Sequence, residues 1–245
     1  MRDQGLVGVL GGMGPIASAE FVRTVYEHCA GEREQAFPAL SLHSDPAVPA
    51  RTADSLDRVP AELARGLWSL ADQGCSTIVM CCMTAHRLLP LFDPEIRDRV
   101  LSVLDVLVDE ITRRPTDRRL LLCSSDSREM GLFEGHPGWA SIGPSTVLTG
   151  MAQARRLQDA IQAIKERHRF GPAMRWLTEN IERHAVSSVI VGCSEIHVLV
   201  KRHAAELDVE IVDPFDALAR AIAGHGADEL RIRLNERSTH AHRLR

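Results

Sequence analysis

The sequence predicts an α/β fold made of two similar halves with parallel sheets, and three observations carry that expectation. Short runs rich in Val, Leu and Ile alternate with helical patterns. The runs are apolar throughout, as strands covered on both faces are. The chain also matches itself when slid by the distance from Cys82 to Cys193.

Taken in order, residues 6–10 read as the first strand, and a Gly-rich turn leads from them into a helix over 17–29. A second apolar run, 37–42, ends in the proline-rigidified loop Ser44-Asp45-Pro46-Ala47-Val48-Pro49-Ala50-Arg51-Thr52. A strand at 78–81 is followed by a helix over 84–91; 120–123 and 189–191 are strands; a last strand at 210–212 precedes a helix over 215–223. The self-match pairs 76–82 with 187–193 and sets His86 on His197, and a one-residue adjustment brings 7–10 onto 119–122. The polar stretch 113–118 is the natural junction. The first half is therefore expected over 1–113, the second over 114–226, and a fraying polar tail over 227–245.

Lys and Arg number 29 against 33 Asp and Glu, so the chain carries −4 and no basic excess that would argue for nucleic acid. Aromatic residues, at 4%, are too few for a base-stacking surface. The apolar start is too short for a secretory core and no run approaches a membrane span, which points to the cytoplasm. The six cysteines are sparse, and several end apolar runs, so reduced thiols are expected.

Two of these cysteines carry the chemistry. Cys82 and Cys193 each follow an apolar strand and open a helix, in Cys82-Met83-Thr84-Ala85-His86 and Cys193-Ser194-Glu195-Ile196-His197. Sites in open α/β sheets form at such strand ends, and a helix N-terminus is expected to lower a thiol's pKa toward neutrality. Two related halves facing each other put two thiols across one cleft, which suits removal of a proton from one face of a carbon and its return to the other. A single strand-end cysteine reads more readily as a small core residue, the role assigned to Cys81. Zinc is disfavoured, because no C-x-x-C or H-x-x-x-H pair exists.

The turn Gly11-Gly12-Met13-Gly14-Pro15 lets backbone N–H groups approach an anion, although its spacing is that of no nucleotide motif. Arg51 reads either as a bidentate carboxylate clamp or as a surface arginine. Only two lysines occur, Lys165 and Lys201, and neither follows a strand end where a Schiff base with pyridoxal phosphate is expected. By its charged surroundings alone Lys165 reads as solvated.

Together these pieces resemble the aspartate/glutamate racemase superfamily, its aspartate racemase branch in particular. The likeness runs to about Gly226 and rests on GVLGGMGP, the Pro49-Ala50-Arg51-Thr52 loop, C-x-T-A-H, G-C-[ST]-E and the strand end Val212-Asp213-Pro214. The resemblance implies two flavodoxin-like halves with an active-site cleft between them, Cys82 and Cys193 as the acid/base pair, and a helix after Asp213 that packs back on the first half. It implies substrate contacts from Gly12, Met13, Gly14, Arg51, Met83, Thr84, Ser124, Lys165, Ser194 and Glu195, with Arg51 and Lys165 holding carboxylates. It further implies a small-molecule substrate, an amino acid with an acidic side chain, a homodimer, and no metal or pyridoxal phosphate. Two departures bear on the substrate: Met83 stands where the family usually has Asn, and Ala50 where it usually has Asp. An isomerase, lyase or decarboxylase of another dicarboxylate or specialised metabolite is the alternative reading. A non-catalytic small-molecule binder is the third.

Overall fold

The computed structural model describes residues 5–52, 55, 57–114, 118–224 and 230–232. Most of the expected tail, and residues 115–117 of the expected junction, lie outside the described residues. No described helix is long and apolar enough to cross a membrane.

Two four-stranded sheets form the frame, and every pairing in them is parallel. The first holds β1 (Val7–Gly11), β2 (Leu40–Ser44), β3 (Thr77–Met80) and β4 (Val100–Leu101), in the order β2-β1-β3-β4. The second repeats that order with β5 (Arg119–Leu122), β6 (Thr146–Val147), β7 (Ser188–Val191) and β8 (Glu210–Val212), as β6-β5-β7-β8. Register repeats as well. Val7 lies opposite Thr77 and Leu10 opposite Met80, while Arg119 lies opposite Ser188 and Leu122 opposite Val191. The one-residue adjustment in the self-match is therefore the true correspondence of the first strands.

Helices cover the sheets or cap their ends, and those that position the site are few. Helix α1 (Pro15–Glu27) starts on proline, whose missing N–H costs nothing at a first helical position. After it come α2 (Val59–Asp72), a 3-10 helix over Thr84–Leu91 that holds Pro90, and α3 (Pro94–Arg97). Helix α4 (Val103–Arg113) is capped by Ser102, whose Oγ accepts from the Asp105 N–H. In the second half lie α5 (Ser125–Glu129), α6 (Trp139–Ile142), α7 (Met151–Arg167), α8 (Gly171–His184), α9 (Ser194–His203) and α10 (Pro214–Ala223).

The halves exchange their last helices. Helix α4 follows the first sheet yet packs on α6, β8 and α10, and α10 follows the second sheet yet packs on α1. One large core results, with Phe21 and Val25 of α1, Leu107 and Ile111 of α4, and Phe215 and Leu218 of α10 buried beside the second sheet. Phe21 and Phe215 meet edge to face at 6.5 Å. Burying each such ring contributes roughly 1.5–3 kcal/mol. A polar bridge runs through the same seam: buried His197 bonds Asp213 Oδ2 through Nδ1 (2.6 Å) and Thr24 Oγ1 through Nε2 (3.2 Å). Asp213 Oδ1 meanwhile accepts from the N–H groups of Phe215 and Asp216 and so caps α10. With α1, α9 and α10 locked together, the two sheets are held with a cleft between their carboxyl ends.

Candidate active site

In each sheet the strand order reverses between the first strand and the third, and a crevice opens at such a reversal outside the carboxyl ends. Cys82 and Cys193 stand there. The sheet ladder runs one residue past each strand, with the Cys81 N–H donating to Leu10 O and the Gly192 N–H to Leu122 O, both at 2.9 Å. The next residue in each case is the cysteine. Alternation along a strand then separates the two adjacent thiols of the first half. Cys81 is buried in the large core, where burial pushes its thiol well up. Cys82 faces the other way, into the smaller cluster and the cleft. It is fixed by His86, whose Nδ1 donates to the Cys82 carbonyl (2.9 Å) while its Nε2 accepts from the Val103 N–H (3.2 Å). Burial holds His86 below its ordinary pKa, which favours the neutral ring these two bonds require.

Both cysteines line one cleft of about 510 Å³, the open space at its mouth included. The first half contributes Ala50, Arg51, Cys82, Met83 and Thr84; Ser124, Lys165, Cys193, Ser194 and Glu195 come from the second. Asp126, Gln158, Ile161 and Gln162 complete the wall, and the sequence reading singles out none of them. Asp126 has a legible signal, since it follows the end of β5 as Gly14 follows β1. The other three lie on α7, and nothing local marks them.

Gly12, Met13 and Gly14 stand behind this lining. Gly12 adopts φ +85°, and a Cβ there would come within 2.2 Å of Asp45 O, so glycine is required. The Met13 carbonyl accepts from Arg51 (2.7 Å) and from Lys165 (3.3 Å), tying both cations to the turn. At Gly14 a Cβ would lie 2.0 Å from Glu195 Oε1, so the absence of a side chain makes room for that carboxylate. Arg51 also donates to Pro49 O (2.9 Å), and its buried Nε has no hydrogen-bond partner among the described residues.

Glu195 organises the second cysteine. Its Oε2 accepts from the Cys193 thiol (3.0 Å) and the Ser194 hydroxyl (3.2 Å), and its Oε1 faces Lys165 Nζ at 3.5 Å. Burial first, then the Glu195 carboxylate, hold the Cys193 thiol well above its ordinary range, with Lys165 opposing them. The helix-terminus expectation of an acidified thiol is thus reversed here: Cys193 stands at the start of α9, but burial, followed by the adjoining carboxylate, raises its thiol. At Cys82 the segment that follows is a 3-10 helix rather than an α-helix. Lys165 is pulled down by burial and up by Glu195, Cys193 and Cys82, and the upward influences prevail. That lysine therefore senses both sulfurs. On the far wall, Thr84 Oγ1 and Ser124 Oγ each bond Ser127 Oγ at 2.9 Å.

Among solved structures, the aspartate racemase of Picrophilus torridus aligns with a TM-score of 0.78 at 22% identity, covering 92% of this chain and 97% of that one. An aspartate racemase homologue from Pyrococcus horikoshii aligns at 0.66 with 18% identity, covering 90% and 98%. The allantoin racemase of Klebsiella pneumoniae aligns at 0.57 with 12% identity, covering 91% and 88%. At such identities these likenesses establish the fold alone. The model of the Asp/Glu/Hydantoin racemase family matches residues 10–222, and the chain belongs to that family.

Proposed function

We propose that this chain racemises an amino acid with Cys82 and Cys193 as its two acid/base groups. One observation carries the reading: two cysteines at equivalent ends of two equivalent sheets line the same cleft. In one direction the Cys82 thiolate takes the Cα proton, and the electron pair left on carbon is protonated by the Cys193 thiol from the opposite face. Cys82 ends as thiol and Cys193 as thiolate, ready for the reverse reaction.

The carbanion is the costly species, and the cations nearest it are Arg51 and Lys165. A carboxylate held by Arg51 spreads the developing charge onto oxygens that face a fixed donor. Tethering of both cations to Met13 O keeps them in place before substrate arrives, so little reorganisation is needed during reaction. Lys165 is engaged with Glu195 and Met13 O, which suits an electrostatic role better than a Schiff base. We accordingly propose a reaction independent of pyridoxal phosphate, in a cytoplasmic enzyme that assembles as a homodimer.

Following optical rotation for a panel of single-enantiomer amino acids, in buffer without added cofactor, tests the reading. Rotation is expected to decay to zero for at least one amino acid at constant mass. Unchanged rotation across the whole panel would overturn it.

A further inference from the structure

Charge in the cleft is arranged unevenly. Four ionisable side chains other than the cysteines line it: Arg51, Lys165, Glu195 and Asp126. Lys165 and Glu195 form an ion pair at 3.5 Å. Arg51 donates only to the backbone carbonyls of Pro49 and Met13, and it has no carboxylate partner among the described residues. The Asp126 carboxylate likewise has no hydrogen bond or ion pair among them. One cation and one anion are thus left open to a ligand.

The repeat locates the asymmetry. Gly14 and Asp126 occupy equivalent places after β1 and β5, and Thr84 and Glu195 equivalent places after the two cysteines. In one half-site a carboxylate follows the cysteine and packs against a glycine of the opposing turn, at Glu195 and Gly14. In the other half-site Thr84 follows the cysteine, and the carboxylate stands in the opposing turn, at Asp126. Glu195 bonds its own cysteine and is used up. Asp126 is partly buried, and burial followed by Glu129 pushes its carboxyl up, with Lys165 and Arg51 opposing. A cation arriving beside it relieves that penalty.

We propose that Asp126 makes this cleft a site for amino acids with an uncharged side chain: Asp126 receives the α-ammonium, Arg51 the single carboxylate, and the side chain lies against Met83 and Ile161. Met83 and Ile161 are the large apolar side chains of the cleft lining, and beyond Arg51 and Lys165 it offers a second carboxylate no cation. A dicarboxylate would have to take Lys165 from Glu195 or rest its second charge on uncharged donors such as Gln158 and Gln162, and both are less favourable than a free cation in a partly dry site. This departs from the acidic side chain that the family resemblance implies. This inference rests on the racemase reading and narrows its substrate.

Loss of the Cα proton in heavy water, read by proton NMR for aspartate, glutamate, alanine, methionine, glutamine and leucine, tests it with wild type, Asp126→Asn and Asp126→Gly. An uncharged amino acid is expected to exchange at least about tenfold faster than aspartate or glutamate in wild type. Asp126→Asn is expected to raise its KM by about tenfold, and Asp126→Gly to move the preference toward the dicarboxylates. Faster exchange of aspartate or glutamate than of every uncharged amino acid, or an unchanged KM in both variants, overturns the inference while leaving the racemase reading standing. Exchange of none of the six rejects both.

Discussion

Racemisation by Cys82→Ser and by Cys193→Ser is expected to fall at least about a hundredfold below wild type, in both directions, while the fold persists. Serine keeps the shape of cysteine, but its hydroxyl ionises far too weakly to take a proton from carbon near neutral pH. Because two enantiomers in solution have equal free energy, kcat/KM for the two directions must fall together in either variant. The far-ultraviolet circular dichroism spectrum and the midpoint of thermal unfolding, measured alongside, are expected to stay close to wild type. Substantial activity in either serine variant with the fold retained would contradict the pairing of the two sulfurs.

The second large effect concerns Glu195. Its carboxylate adds to burial in holding the Cys193 thiol up, so Glu195→Gln removes a negative charge 3.0 Å from the sulfur and leaves Lys165 without its ion-pair partner. Both changes favour the thiolate, and the Cys193 pKa is expected to fall. Below that pKa, each unit of decrease speeds thiolate-dependent alkylation about tenfold. Iodoacetamide labelling of Cys193 followed by peptide mass spectrometry across pH is therefore expected to run faster in Glu195→Gln, with the rising limb at lower pH. Lys165→Met is expected to shift that limb to higher pH, because it leaves the carboxylate unopposed. Equal limbs in the three proteins would remove Glu195 from its assigned role.

The main features of the fold are legible because they lie in long or repeated patterns. The continuous apolar runs mark β1, β3, β5 and β7, the inner strands of each sheet, and the self-match reports the repeat that their register shows. β4 and β6 span two residues each, too few for any periodicity, and they are recognisable only by pairing. The exchange of α4 and α10 is decided by contacts such as that of Phe21 with Phe215, far apart in sequence.

Within the cleft, Cys82 and Cys193 stand out by position in the repeat, and Arg51 by its proline-rich loop. Lys165 does not: flanked by Glu166 and Arg167, it looks solvated, and only the packing of α7 carries it to Met13 O and Glu195. Thiol ionisation escapes sequence reasoning for a related cause. The helix terminus at Cys193 is visible in sequence, but the hydrogen bond from its sulfur to Glu195 depends on a side-chain rotamer that Gly14 leaves room for. Asp126 is marked by its place after β5, but the role proposed for it depends on Arg51, Met83 and Ile161, which come to the same cleft from other elements.

The central claim is that one sulfur removes the proton and the other replaces it. Its most direct test is the distribution of deuterium when one enantiomer of a turning-over amino acid is racemised in heavy water and both enantiomers are analysed early. Two bases on opposite faces predict deuterium at Cα in the product and protium in the starting enantiomer still present. Equal labelling of both enantiomers from the start, as one base serving both faces would give, would contradict the account.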